Sequence, residues 1–376
     1  MSPSVSRRSV LLGSAAAVIG AGPRRQGAAR FAYVGSRKDA GITVWRMGAA
    51  RWELAQTVET YRPNFLAWSA DQRRLYAVHG DATQVSGFAA DPGTGRLTPL
   101  NTVDTGRRNP AHLAVDPTGR WLLVAHVTPP GSVTSLPIAA SGRLGAVTGV
   151  LQLPGTPGPH KTEQLGSNPH QVVFDPAGRW IVIPDRGLDR VFTAVLDAGT
   201  GALRLNQPGW SQAREMEGPR HVAFHPKRPV AYVVNELRST VTTYRWDAAA
   251  GTLHPLQVLP STPPTATGNS RAAEVAVAPA GGHVYVSNRG DPGTGPDTIG
   301  VFGVDPSTGT LLPGSWFAAE GSTPRFLCLD PAGRQLFVTN EGSGTVVGFT
   351  VDPAGGGLTG ARVLAKAGAP ACVVFR

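Results

Sequence analysis

The sequence predicts an all-β fold, a seven-bladed β-propeller built from one repeat that occurs seven times. Three observations lead to this prediction: a repeat with constant internal spacing, four strand patterns within each repeat, and two half-repeats at the chain ends that complete each other. Repeat architectures grow by adding units, so a chain of 376 residues can form one domain in this way.

Two sequence signals define the repeat. The first runs from Asn109 to His126 as NPAHLAVDPTGRWLLVAH and returns from Asn168 to Asp185 as NPHQVVFDPAGRWIVIPD. Further copies begin at Gly218, Arg271 and Thr323, and a weaker one begins at Arg62. The second signal is a turn ending in Gly-x-Leu, at Leu97, Leu203, Leu253, Leu311 and Leu358, with a shorter copy at Leu144. Because the distance from the repeat's proline to this leucine is the same in five units, chance does not explain the pattern.

Each unit predicts four antiparallel strands, which is the composition of a propeller blade. The unit from Gly218 has a first alternating run at His221, a second at Val230 and a third at Ser239, followed by the Gly-x-Leu turn and a short outer strand. Helical spacing of apolar residues is absent between the turns, which argues against helical repeats.

The two chain ends predict ring closure. The run from Ala369 to Phe375 is a first strand with no continuation, and the run from Phe31 to Arg37 is a second strand with no first. Together they form a closing blade shared by the N- and C-terminal strands, which removes the open sheet edge. We number the blades by their first strands: one at Pro63, two at Pro110, three at Pro169, four at Pro219, five at Ala272, six at Pro324, and seven as the closing blade.

Residues 1–29 are expected to be an export signal and linker, and residues 30–376 the propeller. Arg7 and Arg8 precede an apolar stretch from Val10 to Ala21, a pattern typical of a twin-arginine signal and too short for a stable membrane span. This predicts a periplasmic or extracellular protein without a transmembrane segment. A disordered basic tail is the alternative.

The net charge of +10 does not predict a nucleic-acid partner. Five of the arginines lie in the first thirty residues, which contain no acidic residue, so half of the net charge belongs to this N-terminal stretch. Cys328 and Cys372 have no CxxC spacing and are interpreted as small buried side chains, although their pairing stays open. His79 and His126 share a repeat position, but two histidines without a third ligand do not predict a metal site.

The repeat geometry predicts which residues share one rim of the ring. The first strand of a blade runs away from this rim and the second returns to it, so the residue after the repeat's proline and the residue after the second strand lie at the same mouth. The first position holds Asn64, Ala111, His170, Arg220, Ala273, Arg325 and Ala371. The second holds Gly80, Val127, Arg186, Glu236, Arg289, Glu341 and Arg37.

Charged residues at these positions collect in blades three to six. A histidine and a glutamate can act as acid and base, and arginines can bind a carboxylate, a phosphate or an oxyanion. The loop from Asp291 to Asp297, which lengthens blade five, is expected beside the same mouth. His112 and His221, one residue further along their strands, are expected to point away from the channel as structural residues. Trp121 and Trp180 are expected to pack between blades.

The motifs in blade four resemble the propeller lactonase family, which includes bacterial 6-phosphogluconolactonase and fungal carboxymuconate lactonizing enzymes. They read GPRHVAFHP from Gly218 and VNELRSTVTTY from Val234, and the resemblance covers all seven blades. It implies His170, Arg220, Arg289 and Glu236 as catalytic residues, with no metal or cofactor. Weaker substrate-binding candidates are Arg325, Glu341, Arg186 and Asn235.

We therefore expect an exported, monomeric lactone hydrolase that opens a small anionic or sugar-derived lactone, an aldonolactone of the 6-phosphogluconolactone type, by metal-free acid/base catalysis. His170 and Glu236 would share the acid and base roles, with their assignment open. Two alternatives remain: a muconate-lactonizing isomerase, and a non-catalytic exported binding propeller of the YVTN type, because propellers host many unrelated functions. A glutamate–arginine ion pair of purely structural value is the alternative reading of Glu236 and Arg220, and it is the preferred one for Arg325 and Glu341.

Overall fold

The first strands of the chain belong to the closing blade. The structure is a computed structural model and describes residues 31–38, 41–290 and 296–376; the expected export signal and residues 291–295 of the blade-five loop lie outside these ranges. The chain begins with β1 (Phe31–Ser36), β2 (Ile42–Arg46) and β3 (Glu53–Val58). These strands form one antiparallel sheet together with the last strand of the chain.

The next three blades follow in chain order, each as one antiparallel sheet of four strands. Blade one contains β4 (Pro63–Trp68), β5 (Arg74–His79), β6 (Gln84–Ala90) and β7 (Leu97–Asp104). Blade two contains β8 (Pro110–Val115), β9 (Trp121–His126), β10 (Ser132–Pro137) and β11 (Gly149–Gln152). Blade three contains β12 (Val173–Phe174), β13 (Ile181–Asp185), β14 (Arg190–Leu196) and β15 (Leu203–Gln212).

The remaining blades lead to the closing strand. Blade four contains β16 (Pro219–Phe224), β17 (Val230–Asn235), β18 (Thr240–Asp247) and β19 (Thr252–Pro260). Blade five contains β20 (Arg271–Val277), β21 (His283–Arg289), β22 (Thr298–Gly303) and β23 (Ser315–Ala318). Blade six contains β24 (Pro324–Leu329), β25 (Gln335–Asn340), β26 (Thr345–Val351) and β27 (Leu358–Lys366), and β28 (Pro370–Phe375) ends the chain.

The two ends of the chain close the ring. β28 pairs antiparallel with β1, with Cys372 opposite Gly35 and Phe375 opposite Ala32. The sheet order β28-β1-β2-β3 reproduces the order of the six other blades. The predicted seven-bladed propeller with a shared closing blade is therefore confirmed.

Apolar side chains fill the space between blades, as the strand patterns predict. The second strand of each blade is almost fully buried, and tyrosines such as Tyr33, Tyr76, Tyr232 and Tyr285 are completely enclosed. Each of these four hydroxyls donates a hydrogen bond to the glycine carbonyl in the Gly-x-Leu turn of the following blade, at 2.7–3.1 Å. The turn that marks the repeat in the sequence is thus the point where one blade docks on the next.

Tryptophans take the same role in blades two and three, where the tyrosine is missing. Trp121 and Trp180 are buried and donate their indole N–H to the carbonyls of Ala198 and Ala248 in the turn of the next blade, at 3.1 and 2.9 Å. Their predicted packing between blades is confirmed. Cys328 and Cys372 are both free thiols, and burial raises the pKa of Cys372 to about 12.

The first strand of blade three is shorter than expected. It is regular only over β12, and the segment before it is tied to β13 by an isolated bridge between Pro169 and Asp185. The backbone N–H of His170 donates to the carbonyl of Pro184 at 3.0 Å. His170 therefore lies in an irregular but hydrogen-bonded segment at the mouth. No helix in the described ranges is long and apolar enough to cross a membrane.

Substituting Gly251 by alanine is expected to loosen the contact between blades three and four. Gly251 has a positive φ of 66°, and a Cβ would lie 2.4 Å from the Trp180 ring. Gly119→Ala is the matched control, because Gly119 has a φ of 72° and nothing within 4 Å of an added Cβ. Backbone strain costs about 1–2 kcal/mol in both variants, and overpacking adds about 1–3 kcal/mol at Gly251 alone.

The measurement is the free energy of unfolding in urea for the wild-type protein and both variants. Equal losses in the two variants would show that the Trp180 contact contributes nothing beyond the backbone strain.

Candidate active site

A polar cavity of about 210 Å³ opens at the mouth predicted from the repeat. Its ionisable lining residues come from blades three to seven and are Arg37, His170, Arg186, Arg220, His221, Glu236, Glu274 and Arg325. The rim positions therefore place His170, Arg220, Glu236, Arg186 and Arg325 together, as the sequence predicts. Four arginines face two carboxylates, so the cavity has an excess of positive charge.

Glu236 is the centre of the charge network. Its carboxylate lies 3.3 Å from Nε of Arg220, 3.1 Å from Nη2 of Arg289 and 3.4 Å from Nη1 of Arg186. Burial on its own would raise the pKa of this carboxyl, but the arginine charges outweigh it and hold the pKa well below its usual range. Glu236 therefore stays ionised near neutral pH, with no proton to donate.

Arg289 and Glu341 stand behind the cavity wall. Arg289 binds Glu236 and donates to the carbonyls of Arg271 and Ala272 at 3.3 and 3.2 Å, and it is not among the lining residues. Glu341 lies 3.4 Å from Nη1 of Arg325 and 3.3 Å from Nε of Arg37. Arg289 therefore orients the carboxylate of Glu236, and Glu341 orients the guanidinium groups of Arg37 and Arg325.

Asn235 is placed inside blade four, away from the cavity. Its side chain is fully buried and donates to the hydroxyls of Thr240 and Thr242, both at 2.9 Å. Asn288 at the same repeat position in blade five also binds a neighbouring segment, through the carbonyl and hydroxyl of Ser261. The asparagine thus fastens the end of the second strand, and the structure does not support its predicted contact with a substrate.

Asp185 organises the segment that holds His170. Its Oδ1 accepts hydrogen bonds from the backbone N–H groups of Asn168, Gly187 and Leu188 at 2.9–3.0 Å, and Oδ2 accepts one from Ser167 at 2.7 Å. Burial raises the pKa of Asp185 to about 6, against these hydrogen bonds, which lower it. The carboxyl ties both sides of the blade-three mouth together.

Glu163 is a site residue that the sequence analysis missed. It accepts hydrogen bonds from Arg186 at 3.0 Å and from Arg271 at 2.8 Å, and the Arg271 contact is the main reason why its pKa is lowered. Glu163 lies between β11 and β12, outside the repeat. The distance from Pro110 to Pro169 is the longest between successive repeat starts, and this was the available signal for an added loop.

The prediction that His221 points away from the channel is wrong. Nε2 of His221 lies 3.2 Å from Nδ1 of His170, and Nδ1 of His221 lies 2.9 Å from Glu274. The physical reason is a register shift by one residue at the start of the first strand, seen between Pro219 and His221. Such a β-bulge resets the alternation, so that consecutive side chains can face the same side.

His112 follows the same pattern in blade two, where the register shifts between Pro110 and His112. Its ring packs on Phe65, with centroids 4.1 Å apart, and edge-on to His221 at 5.5 Å. It does not line the cavity, which agrees with its predicted structural role. Within the described parts of the chain, no group of three or more His, Cys, Asp or Glu side chains is arranged so that it could hold a metal ion.

Comparison with known proteins identifies the same family as the sequence motifs of blade four. The family described as "Lactonase, 7-bladed beta-propeller" matches residues 31–375. This chain belongs to that family. It is similar to the 6-phosphogluconolactonase of Bacillus subtilis, with 31% identity over 83% of this chain and 87% of the relative. It is also similar to the 6-phosphogluconolactonase of Pectobacterium carotovorum, with 30% identity over 87% of this chain and 92% of the relative.

A solved structure supports the fold. The periplasmic gluconolactonase of Pseudomonas aeruginosa superposes with a TM-score of 0.83 and 28% identity, covering 92% of this chain and 98% of the other. The predicted family and the predicted class of lactone hydrolase are confirmed by these comparisons.

Glu236→Gln is expected to destabilise the fold strongly. Removing one partner of a buried charge network leaves uncompensated charges, here three arginines, at a cost of about 3–5 kcal/mol. Because the pKa of Glu236 is lowered in the folded state, its contribution is complete at neutral pH. It shrinks as the pH falls below the ordinary glutamate pKa of 4.5 and through the folded-state pKa.

Urea unfolding at pH 7 and pH 4 measures this difference. Glu341→Gln is the matched control, because its ion pairs are partly exposed and are worth about 0–1 kcal/mol. If Glu236→Gln lowers the free energy of unfolding no more than Glu341→Gln does, the central role of Glu236 is contradicted.

Proposed function

We propose that this chain hydrolyses an aldonolactone, with His170 as the catalytic acid and base. The observation that supports this most directly is the position of His170: Nδ1 is held by His221, which leaves Nε2 for a cavity lined with arginines. Burial lowers the pKa of His170 well below its usual value, and the nearby arginine charges act in the same direction. The imidazole is therefore neutral at pH 7, and it can accept a proton from the cavity when Nε2 is the nitrogen without hydrogen.

In the proposed reaction, Nε2 of His170 takes a proton from water as the water oxygen bonds to the lactone carbonyl carbon. The carbonyl oxygen gains negative charge, and arginines at the mouth stabilise it. The ring C–O bond then breaks, and His170 returns the proton to the leaving ring oxygen. One lactone and one water give one hydroxy acid.

Arg220 is the proposed oxyanion ligand. Its Nε faces Glu236 and its Nη1 donates to the carbonyl of Ala273, so Nη2 remains for the cavity. Its side chain is only 3% exposed, which keeps this positive charge poorly screened. Glu236 holds the guanidinium in place. We assign Glu236 this orienting role instead of a share in proton transfer, because its carboxyl stays ionised.

We propose that the substrate is anionic. Arg37, Arg186 and Arg325 line the cavity beyond Arg220 and can bind a phosphate or carboxylate through charge-assisted hydrogen bonds. The relatives named 6-phosphogluconolactonase are consistent with a phosphorylated lactone, and the Pseudomonas aeruginosa relative is named for gluconolactone. The excess positive charge of the cavity favours the charged substrate.

Purified protein is expected to hydrolyse 6-phosphogluconolactone faster than buffer and with a higher kcat/KM than gluconolactone. His170→Ala should lower kcat by on the order of 10²–10⁴-fold, because it removes the general base. Acid release is followed with a pH indicator and corrected for spontaneous opening. His225→Asn is the matched control, since His225 is buried at the opposite rim and binds the carbonyl of Gly281.

Equal loss in the His170 and His225 variants, with both folded, would remove the site assignment. If the wild-type protein hydrolyses none of the phosphorylated, carboxylated and neutral lactones, the proposed function is wrong and a binding propeller is favoured.

We also propose that the chain is exported through residues 1–29. The support is the twin-arginine pattern at Arg7 and Arg8 and the periplasmic location stated for the Pseudomonas aeruginosa relative. Full-length protein produced in a bacterium with a twin-arginine translocase should appear in the periplasm. The double change Arg7→Lys and Arg8→Lys should retain it in the cytoplasm, and a host without the translocase is the control. Periplasmic protein in that host would contradict this route.

A further inference from the structure

Three buried side chains form a hydrogen-bonded row across three consecutive blades. His170 of blade three lies 3.2 Å from His221 of blade four, and His221 lies 2.9 and 3.0 Å from the two carboxylate oxygens of Glu274 in blade five. His221 and Glu274 are each 2% exposed. We call these three residues the His–His–Glu row.

Glu274 is held firmly at the end of this row. Its backbone N–H donates to the hydroxyl of Ser287 at 3.1 Å, and its Oε1 accepts the N–H of Val275 at 3.1 Å. The register of β20 with β21 shifts between Ala272 and Val275, which is the same type of bulge that turns His221 inward. The carboxyl therefore faces the histidines from a fixed position.

Hydrogen-bond chemistry allows only two proton arrangements in which the row is fully bonded and both rings are neutral. With Glu274 ionised, His221 donates from Nδ1 to the carboxylate and accepts at Nε2 from Nδ1–H of His170, so Nε2 of His170 is bare. With Glu274 protonated, every bond reverses, and Nε2 of His170 carries the proton.

Resting on the proposed function, we propose that Glu274 and His221 are positioning residues that decide which nitrogen of His170 carries the proton. Only the ionised arrangement presents a basic nitrogen to the cavity. As water loses its proton to Nε2 of His170, the Nδ1 proton of His170 moves to Nε2 of His221 and the Nδ1 proton of His221 moves to Glu274. The positive charge is thus never left on a buried ring.

The surroundings place this exchange in an accessible pH range. Burial raises the pKa of Glu274 to about 8, while Arg220, the N–H of Val275 and Arg325 lower it. The other ionisable groups facing the row are His112, beside His221, and the thiols of Cys328 and Cys372, whose own pKa values respond to Glu274. Glu236, Arg186 and Arg289 also act on the two histidines: Glu236 raises the pKa of His221, Arg289 lowers it, and Arg186 lowers the pKa of His170. Burial holds the pKa of His221 well below its usual value, so the ring does not take up a second proton.

Nuclear magnetic resonance of the imidazole nitrogens tests the proposal without depending on activity. Full-length protein with ¹⁵N-labelled histidine is titrated from pH 6 to 9.5, and His170→Gln and His221→Gln identify the two rings. As the pH rises, the rings of His170 and His221 should change together from the Nε2–H to the Nδ1–H tautomer, with a common midpoint near pH 8. Neither ring should give an imidazolium signal. Glu274→Gln should abolish this change.

Glu217→Gln is the matched control for a buried glutamate. Burial raises the pKa of Glu217, which accepts a hydrogen bond from Thr240 away from the cavity, so this variant should keep the wild-type titration. Rings that titrate at different midpoints, or a titration that survives in Glu274→Gln, would overturn the proposal.

The pH profile of lactone hydrolysis is the second measurement. Wild-type kcat/KM should rise as the pH increases through 8. In Glu274→Gln this limb of the pH profile, the rise around pH 8, should be absent, and kcat should fall by about 10²-fold with little change in KM. Glu274→Asp should restore part of the limb, which a loss of packing alone would not predict. A coupled tautomer change in a protein without lactonase activity would refute the proposed function but not the proposed role of the row. Lactonase activity without the coupled tautomer change would refute the proposed role of the row.

Discussion

The contact between the Gly-x-Leu turn of one blade and the buried aromatic of the blade before it is the constraint on which the rest of this structure depends. A blade has no closed core of its own, because both faces of its sheet pack on neighbours. The hydrogen bond from Tyr33 to Gly95 links the closing blade to blade one, so the same contact also fastens the chain ends. Once every turn is docked, the positions of all first strands around the mouth are determined.

This rigidity explains how the mouth tolerates its charges. Arg186, Arg220 and Arg289 come from three different blades and would separate if the blades could move apart. The ring holds them in place, and the carboxylate of Glu236 compensates their repulsion at one point. An anionic substrate would meet guanidinium groups that are already oriented, which reduces the reorganisation needed in the transition state.

The sequence predicted the ring and most of the mouth because both follow from constant repeat spacing. His170 and Arg220 occupy the first rim position of successive units, and Glu236 follows the second strand of blade four, so the repeat alone places them at one mouth. The sequence could not reveal the bulge at the start of each first strand, because no residue type marks it. Assuming strict alternation of side chains therefore predicted the wrong direction for His221. Glu163 was missed for another reason: it lies in a connection outside the repeat, where spacing says nothing about position.

The two carboxyls of the cavity show how one fold separates two tasks. Glu236 is met by several guanidinium groups, so its pKa falls and it serves as a fixed negative charge. Glu274 lies deeper, where desolvation outweighs the more distant Arg220 and Arg325, so its pKa rises towards the range in which protons exchange at neutral to mildly basic pH. Pairs of titratable groups whose pKa values are pushed apart by their surroundings are where acid and base roles are found. The number of arginines in contact, and not the residue type, decides which glutamate orients the site and which one can exchange a proton.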